Sequence, residues 1–280
     1  MKELTLNNGV KIPQLGFGTW KLEDGKEAYE AVEAALKAGY RHIDTAQVYR
    51  NERSVGQAIK DSGIDRNDLF VTTKSWNTHQ TYDDVMAAFE ESLEKLQMDY
   101  VDLFLLHWPT PVDTRQGDAW KEINAERWRA LEELYRSNKV RAIGISNFME
   151  KHIEILNATA TVKPMVNQVL LAPGETQSDL VAYCQEQGMV MEAYSPFGSG
   201  DLFSHPEIEK LTEKYHKSAS QIMLRWSLQH DFVPLPRSSN PAHIQDNLNV
   251  FDFELSVEDM KHLDELVSET KQRDPESVDF

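Results

Sequence analysis

The chain alternates strand-like and helix-like stretches in a regular order from one end to the other. Apolar, strand-like runs fall near residues 14–18, 40–44, 69–74, 101–106, 140–145, 164–169, 189–194 and 232–235. Stretches with helical apolar spacing lie near 25–38, 51–61, 82–97, 119–137, 149–157, 177–187, 205–229 and 241–248. Eight strands alternating with eight helices predict an α/β fold, a closed (β/α)8 TIM barrel. An open doubly wound sheet is the alternative.

Both ends of the chain add to this pattern. Leu4-Thr5-Leu6 and Val10-Lys11-Ile12 flank Asn7-Asn8-Gly9, which predicts an N-terminal β-hairpin with a tight primed turn. An extra C-terminal helix over 256–268 and a short tail to Phe280 follow the last unit, and the tail could fold over the mouth of the barrel. No linker rich in Gly, Pro or Ser divides the chain, so residues 1–280 are expected to form one barrel domain.

Composition and charge restrict the partners that the chain can have. It carries 46 acidic against 29 basic side chains, a formal net charge of −17. Nucleic acid and anionic membranes both attract basic surfaces, so we expect neither as a partner. No run reaches the ~18 apolar residues of a membrane-spanning helix, and the first residues lack the apolar stretch of a secretion signal. Cys184 is the only cysteine, so a reducing, cytoplasmic location is expected.

Several common catalytic motifs are missing from the sequence. No G-x-G-x-x-G follows a strand, which leaves a Rossmann cofactor site unsupported, and no G-x-x-x-x-G-K-[ST] indicates a P-loop. No H-E-x-x-H or G-x-S-x-G is present either, so we expect no metal centre and no serine nucleophile. A metal-dependent barrel hydrolase is therefore disfavoured.

Four polar side chains stand at or just after the ends of strand-like runs, namely Asp44, Tyr49, Lys74 and His107. The carboxyl ends of barrel strands meet at one mouth, so we expect these residues to lie together. A nearby ammonium lowers the pKa of a phenol, so Lys74 would make Tyr49 more acidic. Asp44 would hold Lys74 in place, and His107 would orient a substrate oxygen. Each residue alone could be a packing or ion-pair residue, but together they favour protonation of an oxyanion at a carbonyl. Carbonyl reduction there would also require a reduced cofactor.

Five segments resemble motifs of the aldo-keto reductases: Gly16–Trp20, Arg41–Glu52, Leu106–Pro109, Ile143–Phe148 and Ala193–Pro196. The resemblance runs from about residue 4 to about residue 266. It is greatest to the small microbial branch that includes 2,5-diketo-D-gluconate reductases and broad aldehyde or methylglyoxal reductases. The resemblance implies an NAD(P)H-dependent barrel that reduces aldehydes and ketones without a metal.

The resemblance also implies a role for each polar residue at the mouth. Tyr49 would be the general acid, Lys74 the group that lowers its pKa, Asp44 the buried counter-ion and His107 the residue that orients the carbonyl. The implied cofactor-binding residues are Ser146, Asn147, Gln168, Tyr194, Ser195, Leu202, Arg237, Ser238, His243 and Asn247. Among them Ser146, Asn147 and Gln168 would hold the nicotinamide carboxamide, and Tyr194 would stack on the nicotinamide ring.

The segment implied to bind the 2′-phosphate departs from the family pattern. The first cation, usually lysine, is Arg237, and a second cation, usually arginine, is replaced by His243. Imidazole is mostly neutral at pH 7, so the site has lost one fixed positive charge. We therefore expect that NADPH is used and that NADH is tolerated more than by a site with two cations.

The substrate pocket is expected to be apolar. Trp20, Trp76 and Trp108 follow the first, third and fourth strands and would wall it beside His107. Such a pocket suits a small-molecule carbonyl substrate, an aldehyde or a small ketone. The family's common form is a monomer. A non-catalytic, cofactor-binding regulatory barrel is the alternative function, which the presence of all four polar residues disfavours.

Overall fold

The computed structural model describes residues 2–115 and 117–280. It begins with the antiparallel strands β1 (Glu3–Thr5) and β2 (Lys11–Pro13), which confirms the hairpin. Of the loop residues 7–9, only Gly9 has a positive φ, of 86°. Because a primed turn of type I′ needs a positive φ at two residues, that part of the prediction is wrong. A three-residue loop instead closes with a glycine in the left-handed region, as longer hairpin loops commonly do.

Eight parallel strands follow in one sheet, each paired with the next along the chain. They are β3 (Phe17–Gly18), β4 (His42–Asp44), β5 (Phe70–Ser75), β6 (Val101–Leu106), β7 (Val140–Ser146), β8 (Val166–Leu170), β9 (Val190–Tyr194) and β10 (Val233–Pro234). All eight predicted strand positions are confirmed.

Hydrogen bonds between the first and last parallel strands close the sheet into a barrel. The N–H groups of Gly16 and Gly18 donate to the carbonyl oxygens of Pro234 and Pro236, at 3.1 and 3.0 Å. Glycine is needed for this approach, since a Cβ on Gly18 would lie 2.9 Å from the Leu235 carbonyl oxygen. The (β/α)8 barrel is therefore confirmed, and the open sheet is wrong.

Helices cover the outside of the barrel between the strands. They are α1 (Lys26–Ala38), α2 (Glu52–Asp61), α3 (Tyr82–Leu96), α4 (Ala119–Arg136), α5 (Glu150–Thr159), α6 (Ser178–Glu186), α7 (Pro206–Tyr215), α8 (Ala219–Gln229), α9 (Pro241–Asp246) and α10 (Val257–Asp264). Capping residues in the sequence mark where some of these helices begin and end. Thr81 and Asp84 form a reciprocal capping box before α3, and Gly39 ends α1 with a φ of 119°. No helix in the described ranges is long and apolar enough to cross a membrane.

Two helix predictions are wrong in extent. The stretch 205–229 was expected to be one helix, but His216 ends α7 with a φ of 53°, and Ser218 begins α8. The Ser218 hydroxyl accepts from the Gln221 N–H while the Gln221 side chain accepts from the Ser218 N–H. This capping box, visible as Ser-x-x-Gln, outweighs the continuous apolar spacing. The last helix ends at Asp264 rather than at residue 268.

The packing of α2 against the end of α3 makes a prediction about Gly56. An added Cβ there would lie 2.3 Å from the carbonyl oxygen of Leu96. Glycine-to-alanine changes inside helices usually stabilise by about 0.5–1 kcal/mol, but this overlap should make Gly56→Ala destabilising by about 1–3 kcal/mol. Urea unfolding would measure it, with Arg53→Ala on the exposed side of α2 as the control, expected within about 0.5 kcal/mol of wild type. A stable Gly56→Ala protein would contradict the close contact of α2 with α3.

Candidate active site

A buried ion pair lies at the carboxyl end of the barrel. Lys74 of β5 has no exposed surface, and Asp44 at the end of β4 is 3% exposed. The Lys74 ammonium donates to both Asp44 carboxylate oxygens, at 2.7 and 2.8 Å, and to the Thr45 carbonyl oxygen at 2.9 Å. Burial acts to lower the pKa of Lys74, but the negative charge of Asp44 and its hydrogen bonds outweigh burial and raise that pKa. The ammonium therefore stays charged, as predicted.

Tyr49 reaches this pair from the loop after β4. A 3-10 turn over Gln47–Tyr49 carries it, and Arg50 ends the turn with a φ of 60°. The Gln47 amide fixes the turn by donating to the Ala88 carbonyl oxygen at 2.7 Å. The Tyr49 hydroxyl oxygen lies 3.4 Å from the Lys74 ammonium, from which it accepts a hydrogen bond. The expected approach of phenol and amine is thus present.

Lys74 lowers the pKa of Tyr49, as predicted, but it is not the largest influence on that pKa. Burial raises the pKa of the phenol most strongly, and the Lys74 charge and hydrogen bond, which lower it, do not compensate. The physical reason is that ionisation would put a phenolate beside Asp44 in a site with little water. Tyr49 consequently holds its proton at neutral pH, which is the state that a proton donor requires.

His107 follows β6 and completes the group. It is 8% exposed, and its ring lies edge-on to Tyr49 and Trp76, with centroid distances of 5.8 and 5.0 Å. Burial, and then the charges of Lys74 and Arg127, hold the pKa of His107 well below its usual value. The imidazole is therefore neutral and can donate one N–H to a substrate oxygen.

The residues expected to hold a nicotinamide lie at the ends of β7, β8 and β9. The Ser146 hydroxyl donates to the Gln168 carbonyl oxygen at 2.7 Å, and the Asn147 side chain donates to the His107 carbonyl oxygen at 3.0 Å. The Tyr194 hydroxyl donates to Asn147 Oδ1 at 2.8 Å. The structure thus brings Ser146, Asn147, Gln168 and Tyr194 together beside Asp44 and His107.

The residues expected at the phosphates and the adenosine lie after β9 and β10. Ser195 has a positive φ of 48°, and Leu202 is buried in a 3-10 segment over Gly198–Ser204. Arg237 and His243 are both exposed. The hydroxyl of Ser238 accepts from the Asn240 N–H at 3.0 Å.

Asn247 offers a buried polar atom at the same end. The residue is 4% exposed, and no partner for its Oδ1 atom is found in residues 2–115 and 117–280. A buried acceptor without a partner is costly, so a bound ligand would satisfy it.

Two of the three tryptophans predicted for the pocket share an aromatic contact with the tail. Trp76 and Trp108 both pack on the ring of Phe280, with centroid distances of 5.3 and 5.1 Å. Trp20 is 49% exposed, with the Lys21 ammonium 4.4 Å from its ring centroid. No ring contact of Trp20 with Trp76, Trp108 or Phe280 is found in residues 2–115 and 117–280, so its place in the pocket stays a prediction.

The C-terminal tail supplies residues that sequence reasoning missed. It folds over the mouth, as expected. Gln272 Nε2 donates to Asn147 Oδ1 at 3.0 Å, while Gln272 Oε1 accepts from the Leu170 N–H at 2.9 Å. The Thr110 hydroxyl donates to the Pro275 carbonyl oxygen at 2.6 Å. Nothing in the tail sequence, which is polar and without periodicity, signals these contacts.

Glu192 is the second functional candidate that was missed. It is fully buried in β9, and its Oε2 atom accepts from Gln168 Nε2 at 2.7 Å. The signal for it was available, since Glu192 is an acidic residue inside the apolar run Val190–Tyr194.

Together these residues define a class of site. A neutral phenol, an ammonium and a neutral imidazole converge on one opening of a closed barrel. They can orient a carbonyl oxygen, donate a proton to it and stabilise the phenolate left behind. Within the described part of the chain, no group of three or more His, Cys, Asp or Glu side chains is placed to hold a metal ion. The arrangement is that of a barrel oxidoreductase acting on carbonyls.

The chain belongs to the aldo/keto reductase family, whose model matches residues 14–268. It is 49% identical to glyoxal reductase of Bacillus subtilis (strain 168) over 261 residues, 93% of this chain and 91% of that protein. It is 44% identical to 9,11-endoperoxide prostaglandin H2 reductase of Trypanosoma cruzi (strain CL Brener) over 266 residues, 94% and 90% of the two chains. The crystal structure of a Bombyx mori aldo-keto reductase in complex with NADP superimposes with a TM-score of 0.86 at 37% identity, over 94% and 92% of the chains.

The buried ion pair predicts a large effect of Lys74→Met on stability. Removing one partner leaves Asp44 as an uncompensated buried charge, so we expect a loss of about 3–5 kcal/mol in unfolding free energy at neutral pH. Adding Asp44→Asn to Lys74→Met should recover part of that loss. The exposed pair of Lys37 with Glu33, 2.8 Å apart, is the control, and Lys37→Met should change stability by less than about 1 kcal/mol. Denaturant titrations of the four proteins would measure this, and equal losses for both lysine variants would contradict it.

Proposed function

We propose that this protein is an NADPH-dependent reductase that converts aldehydes and ketones to alcohols. The observation that carries the proposal is the Tyr49 hydroxyl, held 3.4 Å from the Lys74 ammonium and beside His107 at the carboxyl end of the barrel. Membership of the aldo/keto reductase family supports it. So does the similarity to solved structures in complex with NADP or NADPH.

The residues present fit a dinucleotide along the barrel mouth. Gln168, Asn147 and Tyr194 offer amide and aromatic groups where a nicotinamide would lie, and Arg237 offers an exposed guanidinium for a phosphate. The buried Oδ1 of Asn247 would accept a hydrogen bond at the adenine end. When bound, NADPH supplies the hydride for the carbonyl carbon.

The protein side chains supply the rest of the chemistry. His107, as a neutral donor, orients the carbonyl oxygen towards Tyr49. Tyr49 gives its phenolic proton to that oxygen as negative charge develops on it. The Lys74 ammonium then stabilises the phenolate, and Asp44 keeps the ammonium in place.

The pocket beside this group favours apolar or small carbonyl substrates. Trp76, Trp108 and Phe280 pack around it, and none of the three is a charged residue. The glyoxal reductase of Bacillus subtilis supports a small aldehyde or α-dicarbonyl as substrate. A kinetic panel of aldehydes, α-dicarbonyls and keto-sugars would rank these classes.

We also propose a cytoplasmic monomer without nucleic-acid or membrane partners. The net charge of −17 opposes association with polyanions. Cys184, the only cysteine, is buried as a free thiol, and burial raises its pKa to about 11, so it is unreactive. Light scattering during size-exclusion chromatography would test the oligomeric state.

Loss of NADPH absorbance on adding a simple aldehyde tests the proposed function. Turnover that depends on both NADPH and the aldehyde is expected. A regulatory barrel would bind NADPH without consuming it. Binding without turnover across the whole substrate panel would overturn the assignment.

The role of Tyr49 predicts the effect of Tyr49→Phe. Loss of the donated proton should lower kcat at least about 100-fold, while the dissociation constant for NADPH stays within about threefold. The matched control is Tyr40→Phe, because Tyr40 is also buried, with a hydroxyl that finds no partner among the described residues. Its turnover should equal that of wild type. Steady-state kinetics and fluorescence titration would measure both, and an active Tyr49→Phe enzyme would rule out the assigned proton donor.

The single fixed cation predicts the cofactor preference. Arg237→Ala should raise KM for NADPH about tenfold and leave KM for NADH nearly unchanged, because only NADPH carries the 2′-phosphate. His243→Arg should act in the opposite direction by adding a permanent charge. Initial rates with both cofactors at one aldehyde concentration would show this. Parallel changes for NADH and NADPH would place Arg237 away from the 2′-phosphate.

A further inference from the structure

The barrel interior holds a second carboxyl group that the proposed reaction does not use. Glu192 lies on β9 directly beside Gln168 of β8 in the parallel register, and it has no exposed surface. Carboxyl groups are rarely buried unless neighbouring groups form hydrogen bonds or an ion pair with them. Its contacts connect it to the cofactor wall rather than to the outer helices.

The Gln168 amide is held between two carboxyl groups. Gln168 Nε2 donates to Asp44 Oδ2 at 2.9 Å and to Glu192 Oε2 at 2.7 Å. A primary amide has two N–H donors, and both are used here. Because the amide group is planar, its Oε1 atom is turned away from both carboxyl groups. With Asp44 alone, one hydrogen bond would remain and the amide could rotate about it.

Glu192 acts in this network as a neutral acid. Burial, and then the charge of Asp44, raise the pKa of Glu192 to about 8, although Gln168 and Lys74 lower it. The titratable side chains that interact with Glu192 from the other strands and the loop after β4 are His42, Asp44, Tyr49 and Lys74. Burial lowers the pKa of His42 to about 3, so His42 is neutral as well. Among these five side chains only Asp44 and Lys74 are then charged, and the two compensate each other.

The two oxygens of Glu192 have different surroundings. Oε2 accepts from Gln168, while Oε1 accepts no hydrogen bond in the described ranges and lies 3.5 Å from His42 Nε2. A proton on Oε1 would face the neutral imidazole of His42, whose Nε2 atom also lies 3.1 Å from the Thr72 hydroxyl oxygen. The arrangement of polar atoms is therefore the one that a neutral acid, or an amide of the same shape, can complete.

We propose that Glu192 is a positioning residue for the cofactor: its hydrogen bond fixes the Gln168 amide with Oε1 facing the active site. There Oε1 would accept the N–H of the nicotinamide carboxamide. This inference rests on the proposed function, since it needs NADPH at the mouth of the barrel. Glu192 acts only through Gln168 and touches neither cofactor nor substrate.

Calorimetric binding of two ligands to the full-length protein tests the proposal. NADPH carries the nicotinamide, and 2′-phospho-ADP-ribose lacks it. Glu192→Leu should weaken NADPH binding about tenfold, the equivalent of one well-placed hydrogen bond. Binding of 2′-phospho-ADP-ribose should stay within about twofold of wild type. Glu192→Gln keeps the shape and an acceptor for Gln168, so it should bind both ligands as wild type does. Glu192→Met serves the same purpose if the leucine variant does not fold.

Glu52 provides the matched control. It is another buried carboxyl with a raised pKa, caused chiefly by burial, and it accepts from the Thr73 hydroxyl at 2.6 Å. Neither Gln168 nor Asp44 is among its hydrogen-bond partners in the described residues, so Glu52→Leu should leave the affinity for both ligands within about twofold.

The outcomes separate this inference from the proposed function. Two results with Glu192→Leu would overturn the positioning role: NADPH binding as tight as in wild type, or an equal loss of affinity for both ligands. Failure of the wild-type protein to bind NADPH overturns the proposed function instead. Selective loss of NADPH binding with rescue by Glu192→Gln supports the positioning role.

Thermal melting checks the protonation state independently. A raised pKa means that wild type loses stability as pH rises from the unfolded value of about 4.3 towards the folded value. The Glu192→Gln variant lacks this titrating group and has no such loss. The difference in melting temperature, variant minus wild type, should therefore increase between about pH 5 and about pH 8. An unchanged difference across that range would show that Glu192 is ionised in the folded protein.

Discussion

The salt bridge between Lys74 and Asp44 is the interaction on which the rest of the site depends. An ammonium without exposed surface is tolerated only because a carboxylate lies 2.7 Å away and a backbone carbonyl accepts a third hydrogen bond. The two residues meet because β4 and β5 are neighbours in a parallel register. Two further residues hydrogen-bond to this pair. Tyr49, on the loop after β4, accepts from Lys74, and Gln168, on β8, donates to Asp44. Removing the pair would therefore disturb both Tyr49 and Gln168.

The charge states around this pair explain how a proton donor can work beside an ammonium. The pKa of Tyr49 is raised by burial despite the attraction of Lys74, so the phenol remains protonated before reaction. The charge of Lys74 becomes useful only when the proton has left and a phenolate needs stabilisation. His107, whose pKa burial lowers, adds no second positive charge that would compete. The site is thus set up to stabilise a state that forms during reaction rather than the resting state.

Sequence reasoning located the strands and the four polar residues because both are local features. Strand ends are marked by short apolar runs, and the residue after each run falls at the barrel mouth by geometry. The break between α7 and α8 is not predicted, although its capping box is local, because helical apolar spacing continues across it. The solvent exposure of Trp20 and the contacts of Gln272 could not be predicted from the sequence. They depend on loop conformation and on a contact between residues 125 positions apart.

The tail joins the two halves of the site. Its Gln272 binds Asn147 on the cofactor wall, while its last residue, Phe280, packs between Trp76 and Trp108 on the substrate wall. The tail also holds the loop after β9, where the Thr270 hydroxyl donates to the Gly198 carbonyl oxygen at 2.6 Å. Because one segment of a few residues contacts both walls, a change in the tail alters the surroundings of cofactor and substrate at once. We therefore expect a substitution in the tail to change the affinities for cofactor and substrate together.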